Sequence, residues 1–205
     1  TPFEARFTES TQDFMRYLAP YMSFPNNMAM ANPVLFKKLI VQNYEKTGSG
    51  NAMIRTTDVP TIIHSGMKEN VIPTLATATI NFRLLPGDSA SFIIKKVREI
   101  IHDNRVVITV VDNNIHEGTR TASAKSEAFQ KIDSLVKRSY ANTLSAPFLL
   151  IGATDSRYFA TISDNIFKFS PMFDPIGFHG IDERVSLEGF RNSLWFFEQL
   201  MRSAN

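Results

Sequence analysis

The chain has 205 residues, 43% of them hydrophobic, enough for one large core or two small ones. Its 22 basic and 20 acidic side chains leave a net charge of +2 and are interspersed, so there is no basic stripe of the kind that binds nucleic acid or a membrane surface. Cysteine is absent, which excludes disulfides, zinc–thiolate sites and thiol catalysis, and no apolar run approaches the roughly 20 residues of a membrane-spanning helix. The chain starts at Thr1 without a methionine or a signal peptide, and is expected to be a piece of a longer protein or a processed one. Nothing in it names a compartment.

Taken in order, residues 10–22 place Phe14, Tyr17, Leu18 and Tyr21 at helical spacing, with Pro20 limiting the last turn. Asn32-Pro33 reads as a cap followed by a first-turn proline, opening a helix that runs to about Tyr44 through Leu35, Leu39, Ile40 and Val41. The Gly48-Ser49-Gly50-Asn51 stretch is expected to be the loop that ends it. A long antiparallel hairpin follows, with strands at 55–66 and 74–85. From Ala76 to Leu84, Ala76, Ala78, Ile80, Phe82 and Leu84 alternate with Thr77, Thr79, Asn81 and Arg83, the period of a half-buried strand. Pro86-Gly87-Asp88 stops it. A helix over 89–102 carries an apolar stripe of Ile93, Val97, Ile100 and Ile101, and Val106–Val111 reads as a third strand rich in β-branched residues. Strand, strand, helix, strand makes an α+β layer with helix on one face of an antiparallel sheet.

After about Asn113 the pattern becomes that of an α/β tail. It has an amphipathic helix over 126–140 and a continuous apolar strand, Ala146–Ile151, of the kind buried on both faces. A short strand at 166–169 and a closing helix over 186–201 follow, the helix with Leu187, Phe190, Leu194, Phe197 and Met201 along one face. The expected division is therefore 1–112 and 113–205.

Chemistry is expected in loops at the ends of buried strands. In Gly152-Ala153-Thr154-Asp155-Ser156-Arg157, hydroxyls stand beside an arginine able to grip a carboxylate through two parallel bonds; a short helix capped by Thr154 or Asp155, with Arg157 on the surface, accounts for the string equally well. His179, in the loop FDPIGFHGIDERVS, has room to ligate a metal, although a lone loop histidine also serves as a hydrogen-bonded turn residue. Arg83 is open to two readings: a cross-strand partner on a solvated strand, or an anion-binding group held on a rigid sheet. His64, His102 and His116 are read as structural or solvated.

Three motifs in series, NVIPTLATATINFRLLPGDS, IGATDSRYF and FHGIDERVSLEGF, resemble the second half of the di-zinc aminoacylase and carboxypeptidase family of metallopeptidases. They are most similar to its carboxypeptidase S and N-acyl-amino-acid amidohydrolase branch. The resemblance implies a lid or dimerisation domain of ferredoxin-like α+β fold over residues 1–112, and the C-terminal segment of the zinc-binding α/β catalytic domain over 113–205. By motif, it implies that His179 is the last ligand of the second zinc, that Thr154 and Arg157 contact substrate, and that Asn70 and Arg83 reach from the lid to the substrate's carboxylate or carbonyl, often across a homodimer. The implied substrate is a dipeptide or N-acyl-amino acid cleaved at an amide bond next to a free carboxylate, with two zinc ions activating the attacking water. The family's HxD motif, bridging aspartate, paired glutamates and lid histidine would lie upstream of Thr1, and His64 does not replace that histidine. Neither nucleic acid nor membrane is an expected partner, and the 205 residues alone are expected to be inactive; a stand-alone dimerisation or interaction module and a non-catalytic carboxylate-binding protein are the alternative readings.

Overall fold

The computed structural model describes residues 2–111, 115–140, 142–152, 154–172, 174–178 and 180–203. They are α+β, with seven α-helices and one two-stranded antiparallel sheet among the described residues, and they divide into two compact units, 1–120 and 121–205. No helix among the described residues is long and apolar enough to cross a membrane.

In the first unit, α1 (Glu9–Leu18) starts where the Thr8 hydroxyl accepts the Thr11 amide at 3.2 Å, satisfying one of the amides that a helix start leaves without a partner. A 3₁₀ turn, Ala19–Tyr21, follows. The buried face is Ser10, Thr11, Met15 and Ala19 rather than the expected aromatic one, and Tyr17 and Tyr21 are exposed. Small side chains lie inside because Thr11 approaches backbone, donating its hydroxyl proton to the Met53 carbonyl at 3.3 Å. Asn32 does not open a helix. It closes the short α2 (Asn26–Ala31), its side-chain amide donating to the Met28 carbonyl, and α3 (Lys37–Tyr44) begins after a turn. The Gly48–Asn51 stretch is likewise no loop but the start of α4 (Gly48–Ile54), because the Thr47 hydroxyl accepts the Gly50 amide at 3.1 Å and caps it.

The hairpin forms as expected from β1 (Thr57–Ser65) and β2 (Ala76–Arg83), with Thr57 opposite Arg83 and Ser65 opposite Ala76. The register shifts between Pro60 and Ile62, where proline has no amide to contribute to the ladder. Gly66 leaves β1 at φ +70°, a left-handed turn that favours glycine. The expected half-burial is not found: Thr57, Thr79 and Phe82 are partly covered and the remaining strand residues are exposed. Two structural facts account for this. Residues 106–110 form no third strand, and α5 (Ala90–Ile101), started by the Ser89 cap, buries Ile93 alone of its expected stripe. At the base of the sheet, Phe3 meets Phe82 edge to face at 6.2 Å.

A polar clamp fixes that base. Buried Thr56 accepts the Leu85 amide at 2.8 Å and donates to Asp88, whose other oxygen lies 2.9 Å from Arg6; Arg6 also donates to the Pro86 carbonyl. The clamp joins the N-terminal segment, the start of β1 and the cap region of α5. Thr56→Val keeps the shape but strands the buried Leu85 amide, and is expected to cost about 2–3 kcal/mol. Hydrogen exchange at the Leu85 amide is the check, and unchanged protection would refute the clamp.

In the second unit, α6 (Glu127–Ser139) and α7 (Leu187–Arg202) are capped by Ser126 and Ser186, close to the expected bounds. Their core is Leu135, Val136 and Phe196, with Ile132, Tyr140 and Leu200 packed against it. Phe196 stacks with Phe169 at 5.0 Å and meets Phe197 at 5.7 Å, and Tyr140 donates to the Pro171 carbonyl. The face of α7 that is buried carries Gly189, Ser193 and Phe196, so the expected Leu187–Phe190–Leu194–Phe197–Met201 face is exposed. A Cβ at Gly189 would meet an Asp174 carboxylate oxygen at 2.4 Å, so a larger residue there would displace that side chain. Residues 146–150 and 166–169 form no strands, and Phe148, Leu150 and Ile151 are exposed. A strand buried on both faces needs flanking strands to take its amides and carbonyls, and none is formed among the described residues of this unit.

Candidate functional site

Each unit carries its own share of the residues singled out by sequence. In the second, Thr154 caps a 3₁₀ turn, Asp155–Phe159: its hydroxyl accepts the Ser156 amide at 3.3 Å and lies 2.7 Å from the Ser156 hydroxyl. The capping account of the GATDSR string is thus realised. It leaves Arg157 one residue beyond, half-buried, with its guanidinium 5.0 Å from the centre of the Tyr158 ring and one Nη donating to the Tyr158 hydroxyl at 3.1 Å. The Arg157 Nε is buried without a hydrogen-bond partner among the described residues.

His179 lies outside the described residues. The loop on either side of it is closed by a reciprocal bridge in which the Ile176 amide donates to Arg184 at 2.9 Å and the Arg184 amide returns the bond at 3.0 Å. Gly177, at φ +74°, and the Gly180 amide bonded to the Gly177 carbonyl tighten it further. Sequence reasoning passed over Asp174 in this loop. One of its carboxylate oxygens is buried without a partner among the described residues, beside the first turn of α7, where the positive end of the helix dipole favours a negative charge.

In the first unit, Asn70 sits in the ten-residue connection between the strands and Arg83 is the last residue of β2, paired across the ladder with Thr57. They are not brought together: at the rise of an extended strand, the seven steps from Ala76 to Arg83 alone span roughly 23 Å. A cavity of about 420 Å³ opens at the end of α5, lined by Arg98, His102, Asp103 and Val107 among others. It shares no residue with the motif loops. Asp103 there is held below the usual carboxylate range by its hydrogen bonds from Arg105. Among the described residues, no three histidines, aspartates or glutamates are grouped so as to hold a metal ion.

Comparison with known proteins places these loops in a family context. Residues 22–106 match the peptidase dimerisation domain of the M20 family. Probable carboxypeptidase S-like 2 of Dictyostelium discoideum is 35% identical over 185 residues, which cover 88% of this chain and 36% of that protein. The N-fatty-acyl-amino acid synthase/hydrolase PM20D1 of Homo sapiens is 33% identical over 196 residues, 93% of this chain and 39% of that protein. The Xenopus tropicalis protein of the same name is 33% identical over 198 residues, 95% and 38%. The chain thus spans less than two-fifths of the length of these curated relatives. No solved structure matches it. Over residues 22–106 the chain is similar to the M20 peptidase dimerisation domain, and over most of its length it is similar to part of the carboxypeptidase S-like and PM20D1 proteins.

Proposed function

We propose that the chain is the lid and C-terminal portion of a zinc-dependent amidohydrolase that cleaves an amide bond next to a free carboxylate, in a dipeptide or an N-acyl-amino acid. Residues 1–112 are the lid and 113–205 the closing segment of the catalytic domain. The observation that carries this reading is the similarity itself: about one residue in three is shared with hydrolase relatives over nearly nine-tenths of the chain. In this reading Arg157 receives the substrate carboxylate, and Thr154 fixes the turn that presents it. Asn70 and Arg83 are the lid's contributions. Their wide separation along one hairpin favours use across a dimer, where the end of one hairpin can approach the base of another; the match to a dimerisation domain supports the same arrangement.

Zinc belongs to this reading through the family, with His179 as the candidate ligand. The described residues do not by themselves form a zinc site, so the steps at the metal are not assigned to them. What this chain's residues do is bind and orient the acid end of the substrate. Two measurements test the proposal. The isolated chain is expected to hold no stoichiometric zinc by elemental analysis and to leave N-acyl-amino acids intact. A chimera with these 205 residues in place of the matching segment of the Dictyostelium relative is expected to hydrolyse them. Hydrolysis by the isolated chain would overturn the division of labour, and a folded but inactive chimera would overturn the function. Light scattering that shows only monomer at high concentration would count against the dimer.

A further inference from the structure

Helix α5 starts differently from α1, α6 and α7. Those three each carry a glutamate in the first turn, Glu9, Glu127 and Glu188, where the positive end of the helix dipole favours an acid. The first turn of α5 has none. Its Ser89 hydroxyl accepts the Phe92 amide at 3.2 Å, which leaves the amide of Ala90, the first helical residue, without a partner inside the helix. Asp88, the nearest acid in sequence, is engaged elsewhere, since it accepts from Thr56 and pairs with Arg6 at 2.9 Å.

The acid that α5 lacks comes from 27 residues downstream. The Ala90 amide donates to both carboxylate oxygens of Glu117, at 3.1 and 3.3 Å. Glu117 stands in a stretch without regular structure, residues 115–123, which leads from the first unit to Ser126, the cap of α6. The chain leaves α5 at its C-terminal end, at His102, and the Glu117 contact brings it back to the opposite end of a helix about 18 Å long.

We propose that Glu117 is a clasp. It fastens the connection between the two units onto the start of α5 and confines bending between the units to residues 118–125. The clasp accounts for the first unit's reaching residue 120, beyond the change of sequence pattern near Asn113. It does not depend on the amidohydrolase reading.

The test is limited trypsin digestion of the folded 205-residue chain, in which Arg120 is the one lysine or arginine between Arg105 and Lys125. Glu117→Ala is expected to speed cleavage after Arg120 by about fivefold, the scale of losing one capping bond, and to speed hydrogen exchange at the Ala90 amide by a similar factor. Ala90→Pro removes the same bond from its other side. Proline is favoured at the first helical position, and Ser89 already has the extended backbone, φ −113° and ψ 157°, that a residue before proline needs, so α5 should keep its helicity by circular dichroism. Cleavage after Arg120 should then match that of Glu117→Ala, and the double variant should be cut no faster than either single one. Unchanged cleavage and exchange in Glu117→Ala would overturn the clasp. So would effects that multiply in the double variant, because the two groups would then not share a bond. If Ala90→Pro loses helicity, the Glu117→Ala result decides alone. Activity of the chimera is a separate readout, so failure of the amidohydrolase reading and failure of the clasp are told apart.

Discussion

Phe196→Ala is expected to remove about 3–5 kcal/mol from the second unit, a large part of its stability. Phe196 is fully buried, and the hydrophobic cluster it completes among the described residues has Leu135 and Val136 as its other buried members. A unit of this size has a total stability of roughly 4–13 kcal/mol, so the loss is comparable to the lower part of that range. The cavity cannot be refilled locally: Phe169 and Phe197 already touch the ring, and Tyr140 is tied to the Pro171 carbonyl. The chain has a single tryptophan, Trp195, in α7, so intrinsic tryptophan fluorescence reports this unit alone. A red shift of the emission at a markedly lower denaturant concentration than in the unsubstituted chain is the expected result. Phe197→Ala is the control, because Phe197 is exposed and its loss is expected to cost less than about 1 kcal/mol. Equal effects of the two substitutions would show that the core has been misplaced by one residue along the helix.

In the chimera with the Dictyostelium relative, Arg157→Ala is expected to lower kcat/KM for an N-acyl-amino acid by about 100-fold or more, the scale for removing one partner of a hydrogen-bonded charge pair. The loss should follow the carboxylate. Against the corresponding carboxamide, which offers no charge, the variant should resemble the unsubstituted chimera to within a few-fold. Equal losses on both compounds would make Arg157 a structural residue held by Tyr158 and would remove it from substrate binding. Arg157→Lys is expected to recover only part of the activity, because an ammonium keeps the charge but not the planar pair of donors.

The contrast between what could and could not be foreseen follows from the range of the interactions involved. Helix starts at Ser89, Ser126 and Ser186 and the hairpin at 57–83 were legible, because a hydroxyl bonding an amide three residues away and a period-two alternation are local properties. Thr47 worked by the same mechanism, yet its two glycines concealed it behind the look of a loop. The site residues were named through motifs, and the structure adds what motifs cannot carry: Thr154 spends its hydroxyl on a cap, while Arg157 keeps a donor without a partner among the described residues.

By itself the sequence determined the local grammar of this protein: the hairpin, the capped helices, the lack of cysteine chemistry and the series of motifs that ties it to the M20 peptidases. Tertiary structure alone decided which faces are buried. On α7, Gly189, Ser193 and Phe196 turn inward although Leu187, Phe190, Leu194 and Phe197 form the more apolar stripe. The stretches at 106–110 and 146–150 stay out of any sheet despite strand-like composition. The reason is the same in both cases: burial and strand pairing need a partner surface distant in the chain, and local composition does not specify whether that partner is present.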